Sequence, residues 1–486
     1  MRFNPFKKEK DPFAHDLSGL VRTSYRPKKQ KPWLLRHRWV AVTLAVFVLL
    51  MSLIGYGIYR FYKFQGEIQE DIPNVVEAEE AQPFNVLLVG SDSRDGLTED
   101  EQLELGADEV AGQRADTLIL AHIDPGTNKI IMVQFPRDLY VPLSTGESNK
   151  INAALLGGKG EMVKTITDLT GLEINNYAQV NIAGFRDIVD AIGGVDLCIT
   201  EPIPFDSQTG IEVTQEEIDE SPLIHFDGER ALRFVRARKV FAGGDFDRIR
   251  NQQRFLSAAI NKVTSIGTIF SPTKITRLMS AAGKNLRVDK NTTVGELVSI
   301  GKRFRNFDPK NYEAYTAPNF GIGNNEAGSV VLPDMATMEV MFEQIARNES
   351  PLEADGLVPP DVDMPSIKVG VYNGTFEEGV AAEAKEELEA ATQVPSGTVT
   401  VAEIANADRI GYRNTIIRYD GSVEGAREKA EVIAQAVPNA EVKEGKLTGD
   451  VDVALIVGKE GVEFTKLVQI VPIDIPEPGE VPQACR

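Results

Sequence analysis

Four short segments of this 486-residue chain place arginine beside aspartate or in a close pair. They are Arg114-Ala-Asp-Thr117, Phe135-Pro-Arg-Asp138, Phe234-Val-Arg-Ala-Arg238 and Gly244-Asp-Phe-Asp-Arg248. The guanidinium fork matches phosphate oxygens, and carboxylates share a divalent metal ion with phosphates. The pattern therefore predicts that the protein binds a multiply charged anion together with a metal, as phosphoryl transfer requires.

Two aspartates are placed to bind that metal. Asp92 follows a strand-like run that ends at Gly90, and Asp116 precedes one that begins at Thr117. Carboxylates at the ends of neighbouring strands can converge on one Mg²⁺ or Mn²⁺ ion. The alternative is that Asp92 caps a loop and Asp116 pairs with Arg114. The residues alone leave both possibilities open.

Arg236 and Arg238 are two residues apart, so they share a side only where the chain is extended. The helical pattern that begins at Gly228 ends near here, so the chain is expected to be extended at the pair. We therefore predict that both arginines bind one anion. A solvated basic turn that includes Lys239 is the alternative.

One face of the next predicted helix changes from polar to apolar along its length. Its members, three or four residues apart, are Asp245, Arg248, Gln252, Phe255, Ala259 and Val263. A helix N-terminus favours anions, so the polar turns are predicted to bind a phosphate head group and the apolar turns a lipid tail. The alternative is an ordinary core-facing helix with a solvated first turn.

Charge is distributed unevenly along the chain. The formal net charge is -20, yet residues 1–38 hold eleven Lys and Arg against three acidic residues. An acidic body repels phosphate backbones, which argues against duplex nucleic acid, so no nucleic-acid partner is predicted. Residues 39–59 are 21 uncharged residues, a helix of roughly 30 Å, which matches the hydrocarbon core of a bilayer. We therefore predict a single transmembrane helix within residues 39–62 rather than a core helix or a cleaved signal peptide.

By the positive-inside rule, residues 1–38 form a cytoplasmic tail and everything after about residue 62 lies outside the plasma membrane. Cys198 falls in a predicted strand and Cys485 beside the C-terminus. A bridge between them is possible, but two unpaired thiols are predicted. The motifs HExxH, GxSxG, Walker A and CxxC are absent from the sequence, which argues against a zinc or Ser-His-Asp hydrolase.

Between these segments, strand and helix patterns alternate. We predict a solvated stalk at residues 63–83, then an α/β domain at residues 84–349 with helices on both faces of its sheet. Its strands are predicted at residues 84–90, 117–123 and 129–135, and helical patterns dominate residues 228–305. A linker at residues 350–365 leads to a small α/β domain at residues 366–460. Residues 461–486 form a tail whose end, residues 476–486, is predicted to be disordered.

The spaced motifs resemble the LytR-CpsA-Psr family of envelope proteins, densely over residues 84 to about 265. The matching segments are Gly90-Ser-Asp-Ser-Arg94, Arg114-Ala-Asp-Thr117, Pro136-Arg-Asp138, Lys150-Ile-Asn-Ala153, Phe185 to Val195, His225 to Arg238, and Gly244-Asp-Phe-Asp-Arg248 with Gln252-Gln253. Residues 366–460 are similar to the LytR-type C-terminal domain that is often attached to such proteins. The resemblance implies a three-layer α-β-α domain with a central mixed sheet.

The resemblance also implies an extracytoplasmic phosphotransferase that moves a glycopolymer from a polyprenyl-pyrophosphate carrier to a peptidoglycan hydroxyl. Asp92 and Asp116 match its metal ligands. The residues that match its pyrophosphate site are Arg114, Arg137, Arg236, Arg238, Arg248 and Gln252, of which the first four, with Asp92, are the implied catalytic set. Phe255, Ala259 and Val263 would line the lipid tunnel.

This chain departs from the family pattern at two positions near that site. Gln134 stands where Ser is common, and Asp247 replaces a frequent Gly and adds negative charge near the arginines. Two other functions remain as alternatives: a membrane-tethered pyrophosphatase, which could use the same metal and arginines, and a non-catalytic envelope scaffold or regulator. The complete set of Asp and Arg residues argues against the scaffold.

Overall fold

The computed structural model describes residues 59, 62–79, 81–93, 114–241, 245–264, 281, 283, 285–293, 311–359, 362–447, 449–473 and 485. The chain divides into two units, residues 1–62 and 63–486. In the first unit, Tyr59 and Tyr62 are described, and both are exposed. No helix within the described ranges has the length and apolar character to cross a membrane. The predicted anchor, residues 39–62, falls almost entirely outside those ranges.

The larger domain alternates strands and helices along the chain, as predicted. Its elements, in chain order, are β1 (Gln69–Glu70), β2 (Phe84–Ser91), β3 (Ala115–Asp124), β4 (Lys129–Phe135), β5 (Tyr140–Pro142), β6 (Ser148–Lys150), α1 (Lys159–Thr170), β7 (Asn176–Val180), α2 (Ile182–Ile192), β8 (Val195–Cys198), α3 (Gln215–Glu220), β9 (Leu223–Phe226), α4 (Gly228–Arg236), α5 (Asp245–Thr264), β10 (Leu286–Asp289), β11 (Tyr312–Thr316), β12 (Asn319–Asn325), β13 (Gly328–Pro333) and α6 (Met335–Ala346).

The central sheet is mixed, with the strand order β1-β10-β7-β2-β3-β4-β11. β3 runs antiparallel to both β2 and β4, whereas β7 is parallel to β2 and β11 is parallel to β4. Residues of β2 alternate between buried and half-buried, the pattern expected of a strand whose two faces differ. The α/β prediction for this domain is therefore confirmed.

Helices cover both faces of this sheet. On one face, α1 and α6 pack against the sheet in a large buried cluster, where the rings of Phe135 and Phe342 stack with centroids 6.0 Å apart. On the other face, Leu256 of α5 packs against a smaller cluster that includes Ile119 and Met132. Strands β8 and β9 form a separate two-stranded antiparallel sheet against α5, in a third cluster.

The segment predicted to be a solvated stalk packs against the domain instead. Residues 62–68 are helical, β1 pairs with β10, and Ile68 and Ile72 are buried. The backbone N–H of Val76 donates to the carbonyl of Ile174 at 2.9 Å. The prediction of a solvated stalk is therefore wrong, because the isoleucines between the acidic residues belong to the core.

The predicted helical region at residues 228–305 is interrupted by β10, which pairs antiparallel with β7. The side chain of Asp289 accepts hydrogen bonds from the backbone of Tyr177 at 2.9 Å and of Thr292 at 3.0 Å. The pairing with β7 and the contact between Asp289 and Tyr177, which no local pattern shows, hold residues 286–289 in the sheet.

The C-terminal domain is a second, smaller α/β unit. Its strands are β14 (Lys368–Asn373), β15 (Thr400–Asn406), β16 (Ile416–Tyr419), β17 (Glu441–Glu444) and β18 (Val453–Val457), and its helices are α7 (Val380–Ala391) and α8 (Ala426–Ala436). The strand order is β15-β14-β18-β16-β17. The sequence predicted β14, β18 and both helices. It missed β15, β16 and β17.

The predicted linker and tail pair with each other rather than remaining free. The N–H of Val358 donates to the carbonyl of Val468 at 2.8 Å, and the N–H of Val468 donates to the carbonyl of Gly356 at 3.0 Å. Ile470 is then buried in the core of the larger domain, and the N–H of Ile473 donates to the carbonyl of Ala314 at 2.7 Å. The tail thus returns to the outer edge of β11.

Cys198 and Cys485 form a disulfide, with their Cα atoms 5.8 Å apart. The prediction of two unpaired thiols is wrong, because 287 residues separate the pair and only the fold brings them together. The segment predicted to be disordered, residues 476–486, lies outside the described residues except for Cys485, which is buried.

Candidate active site

One edge of the central sheet brings the predicted metal and arginine residues together. Gly90, near the end of β2, is opposite Thr117 near the start of β3, and Leu118 is opposite Phe135 at the end of β4. Asp92, Asp116 and Arg137 follow or precede these positions by one or two residues, so all three lie at this edge.

The β2–β3 register shifts between Gly90 and Ser91, immediately before Asp92. A Cβ atom at Gly90 would lie 3.0 Å from the Cβ atom of Thr117, a tight contact that favours glycine where the two strands approach this closely. Irregularities of this kind redirect the following side chain, and they are common beside active sites.

Asp92 and the backbone of Arg114 hold the two strand ends together. The N–H of Asp92 donates to the carbonyl of Arg114 at 3.1 Å, and the N–H of Arg114 donates to Asp92 Oδ1 at 2.8 Å. Burial of the carboxyl group, and then the nearby charge of Asp116, raise the pKa of Asp92 above its ordinary value. The two carboxylates are thus close enough to repel each other, and a cation between them would relieve the repulsion.

Asp116 pairs with Arg137 rather than with Arg114. Arg137 Nη1 donates to Asp116 Oδ1 at 2.8 Å, and Arg137 Nε lies 3.5 Å from Asp138 Oδ2. Lys150 Nζ is 3.0 Å from the other oxygen of Asp138. Asp138 and Lys150, for which the sequence patterns predicted no role, therefore hold the guanidinium of Arg137 in place. The signal was present, because both residues lie in the family motifs.

The end of α4 presents the predicted arginine pair. The helix ends at Arg236, and Ala237 is extended and fully buried. Arg236 and Arg238 therefore flank a residue that points inward, and both are half-buried. In the part of the chain that the structure describes, the guanidinium of Arg238 has no hydrogen-bond or carboxylate partner.

A chain of amide hydrogen bonds connects α4, α5 and β4. Gln252 Nε2 donates to the carbonyl of Val235 at 3.1 Å, and Gln134 Nε2 donates to Gln252 Oε1 at 2.6 Å. Gln252, predicted to contact pyrophosphate, thus also positions the end of α4 next to the sheet edge. Arg248, one turn earlier, is buried. A direct contact between either residue and pyrophosphate stays a prediction.

Asp247, the added negative charge, pairs with Arg250 of the same helix. Its charge is therefore neutralised locally, which removes the main objection to an anion beside Arg248.

The apolar end of α5 faces two different clusters. The ring of Phe255 lies 5.1 Å from that of Phe185 in the cluster around β8 and β9, and Ala259 packs against the same cluster. Leu256 instead faces the sheet. The side chain of Val263 lies outside the described part. The lining of a lipid tunnel by Phe255, Ala259 and Val263 stays a prediction.

A family model described as the LytR_cpsA_psr family matches residues 58–347. The chain belongs to the LytR_cpsA_psr family. A second model, described as the LytR cell envelope-related transcriptional attenuator, matches residues 366–460. Both matches confirm the resemblance that the motifs indicated.

Curated proteins of similar sequence include proteins named for cell wall biosynthesis. The probable cell wall biosynthesis protein LcpB of Corynebacterium glutamicum is 33% identical over 264 residues, which are 54% of this chain and 60% of LcpB. The match thus spans less than two thirds of LcpB. The cell wall biosynthesis protein LcpA of the same organism is 26% identical over 450 residues, 82% of each chain.

The polyisoprenyl-teichoic acid–peptidoglycan teichoic acid transferase TagV of Bacillus subtilis is 28% identical over 301 residues, 58% of this chain and 72% of TagV. The crystal structure of B. subtilis TagV matches with a TM-score of 0.45 and 25% identity, over 56% of this chain and 100% of that chain.

Within the LytR_cpsA_psr domain, two carboxylates are the available metal ligands at the sheet edge. The described residues contain no group of three or more His, Cys, Asp or Glu side chains that could hold a metal ion. Asp92 and Asp116 nevertheless fit Mg²⁺, which is commonly held by one or two carboxylates together with substrate phosphates and water.

Helix α5 and strand β4 of the LytR_cpsA_psr domain also bury polar groups whose burial the sequence patterns did not predict. Asn251 Nδ2, both amide ends of Gln253 and Gln134 Oε1 lack hydrogen-bond partners among the described residues. Leaving such a group unsatisfied costs about 1–3 kcal/mol. Gln134 Oε1 and the Gln253 amide are therefore groups that a ligand or a water molecule would stabilise.

Proposed function

We propose that the protein is an extracytoplasmic phosphotransferase that moves a glycopolymer from a polyprenyl-pyrophosphate carrier to a peptidoglycan hydroxyl. The names of its relatives TagV, LcpA and LcpB associate the family with cell-wall assembly and with polyisoprenyl-linked teichoic acid. The observation that carries the proposal is the meeting of Asp92, Asp116 and Arg137 at one sheet edge.

The arginines supply the charge that a pyrophosphate needs. Arg137 is oriented by Asp116 and Asp138, whereas no carboxylate within the described ranges pairs with the half-buried Arg238. An unpaired, half-buried guanidinium group is costly in an empty site and favourable beside an anion. We assign Arg238, together with Arg114, Arg137, Arg236, Arg248 and Gln252, to the pyrophosphate.

The chemical step is a displacement at the phosphorus atom next to the glycopolymer. The acceptor hydroxyl oxygen forms the new P–O bond and gives up its proton to solvent, while the P–O–P bond breaks and polyprenyl phosphate leaves. The arginines stabilise the charge that gathers on the equatorial and leaving oxygens. Arg137, held in place by Asp116 and Asp138, needs little reorganisation to do so.

Asp92 and Asp116 would hold Mg²⁺ or Mn²⁺ in this site. The ion, when bound, would neutralise phosphate charge. Asp92 is fixed by the N–H of Arg114, and Asp116 by the guanidinium of Arg137, so each carboxylate keeps its other oxygen for the metal.

The lipid tail would lie between α5 and the sheet. Leu256 and the half-buried Val86 and Leu88 form an apolar surface there, next to the sheet edge that carries the arginines. A polyprenyl chain gains about 0.8 kcal/mol for each buried CH₂ group, so it needs such a surface close to its pyrophosphate.

The location outside the plasma membrane, with residues 39–62 as anchor, is also a proposal. The disulfide between Cys198 and Cys485 supports it, because disulfides persist in oxidising compartments and are rare in the cytosol.

The test is incubation of the full-length protein with a lipid-linked saccharide, peptidoglycan fragments and Mg²⁺. Formation of a phosphodiester-linked conjugate is expected. Release of phosphate without conjugate would indicate the pyrophosphatase instead, and the absence of both products would favour a scaffold. The Arg238→Ala variant should lose the conjugate, whereas Arg427→Ala, in which an exposed arginine of α8 is removed, should not.

A further inference from the structure

The hydrogen bonds of Gln252 and Gln134 determine the orientation of both amides. The carbonyl of Val235 can only accept, so the atom 3.1 Å away must be the donor Nε2 of Gln252. Gln252 Oε1 therefore faces Gln134, and Nε2 of Gln134 donates to it at 2.6 Å. The other polar atom of the Gln134 amide, Oε1, has no hydrogen-bond partner among the described residues.

Gln253 adds a second unsatisfied amide to the same layer. Gln134 alternates with Met132 along β4, so it projects from the sheet face that Leu256 of α5 covers. Gln253 precedes Leu256 by three residues and therefore lies on the same side of the helix. Gln134 is 1% exposed and Gln253 is 2% exposed. Bulk water therefore does not satisfy either group.

We propose that Gln134 Oε1 and the amide of Gln253 form a subsite that binds a hydrogen-bond donor of the lipid-linked substrate. The group is a hydroxyl or an acetamido N–H of the sugar next to the pyrophosphate. An ionised pyrophosphate offers only acceptors, and a polyprenyl chain offers no polar group, so neither can satisfy Gln134 Oε1. The inference rests on the proposed function, which supplies that sugar.

Gln134 is therefore a specificity-determining residue, because its outer oxygen favours donors that carry the matching hydroxyl or N–H group.

The test measures binding of farnesyl-pyrophosphate-linked N-acetylglucosamine and its 2-deoxy, 3-deoxy and 6-deoxy analogues to the full-length protein by calorimetry. All the probes share the farnesyl and pyrophosphate groups, so the contributions of these groups to the binding free energy cancel in the comparison. At least one analogue should bind the wild type about ten-fold more weakly or worse. In Gln134→Met, that difference should shrink to within about two-fold, as in a double-mutant cycle.

Three outcomes would overturn the inference. Equal binding of all analogues by the wild type would mean that water or no ligand occupies the subsite. Persistence of the difference in Gln134→Met would place the recognition elsewhere. Binding of none of the probes would overturn both the inference and the proposed function. Equal binding with normal conjugate formation would leave the proposed function intact.

Gln253→Met provides a second variant with no protein hydrogen bond to lose. Met has a similar shape and removes two unsatisfied polar atoms, so the ligand-free variant should have a higher Tm than the wild type. Its affinity for N-acetylglucosamine on farnesyl pyrophosphate should nevertheless fall about ten-fold. Gln215→Met, at an exposed position of α3, should change neither quantity. A lower Tm for Gln253→Met would show that the amide is already satisfied and would contradict the inference.

Discussion

At the scale of single residues, the arginine pair at the end of α4 depends on the geometry of guanidinium. Arg236 and Arg238 flank the buried Ala237, so both can reach one anion from the same side. Replacing both with Lys keeps the charge but removes the bidentate fork. We expect a stable protein whose rate of conjugate formation falls more than ten-fold, or by over about 1.4 kcal/mol of transition-state stabilisation.

The matched control for this change is Arg233→Lys on the same helix, where the side chain pairs with Glu229 at 2.9 Å. Its activity should equal that of the wild type. Circular dichroism and the Tm would establish that all variants are folded. Unchanged turnover in the double variant would remove Arg236 and Arg238 from the site.

The protonation of Asp92 couples the stability of the protein to pH and to metal binding. Because burial and Asp116 raise the pKa of Asp92, its proton is held more tightly in the folded than in the unfolded protein. In the metal-free protein this effect lowers stability as pH rises from the unfolded pKa, about 3.9, through the folded pKa. At pH 7 without metal, Asp92→Asn should therefore have a higher Tm than the wild type.

Added Mg²⁺ should raise the Tm of the wild type, and EDTA should abolish its activity, whereas Asp92→Asn should show at least about ten-fold weaker Mg²⁺ affinity. Calorimetry with and without Mg²⁺ measures both effects. Asp168→Asn, which alters an exposed ion pair on α1, serves as the control. Full activity in EDTA would defeat the assignment of a metal site.

At the scale of elements, helix α5 joins the polar site to two apolar clusters. Leu256 faces the sheet, whereas Ala259 packs beside Phe255 against the cluster around β8 and β9. If the lipid lies between α5 and the sheet, Leu256→Gln should weaken turnover of long-chain donors more than ten-fold. It should affect a short, water-soluble pyrophosphate much less, because the arginines are unchanged.

Ala259→Gln is the matched substitution one turn along the helix. If the lipid lies against the sheet, this change should lower the Tm and affect both substrates equally, because it overpacks a cluster that contains Phe255. Steady-state kinetics with both substrates, together with thermal melts, separate the two effects. Selective loss of lipid-linked donors in Ala259→Gln would instead place the tunnel on the face of Phe255, Ala259 and Val263.

At the scale of the whole molecule, the tail that follows the C-terminal domain ties that domain to the larger one. Leu467 is buried in the core of the C-terminal domain, and Val468 next to it is also buried. Ile470 is buried in the core of the larger domain. Cys485 then forms the disulfide with Cys198 at the end of β8, in the two-stranded sheet that packs against α5. The two domains are therefore expected to depend on each other for stability.

The double change Cys198→Ser and Cys485→Ser should reduce the free energy of unfolding by about 2–4 kcal/mol, measured in urea. Dithiothreitol should lower the unfolding midpoint of the wild type by a similar amount and leave the variant unchanged. Deletion of residues 461–486 should cost more, because it also removes the buried Leu467, Val468 and Ile470. Identical midpoints for the wild type and the double variant would show that the disulfide does not contribute to the free energy of unfolding.

The sequence by itself determined the local elements and the chemistry of the sheet edge. Strand β4 occupies the predicted residues 129–135, and Asp92 and Asp116 lie at the strand ends where they were expected. Alternation and helical periodicity are properties of neighbouring residues, so they can be recognised without knowledge of the fold.

Only the tertiary structure decided which groups meet. It paired Asp116 with Arg137 instead of Arg114, connected Gln252 to Gln134, and joined cysteines 287 residues apart. It also placed Ile68 and Ile72 of the predicted stalk in the core. Each of these contacts depends on how distant elements pack and on which buried polar groups find partners, and local sequence patterns contain no record of either.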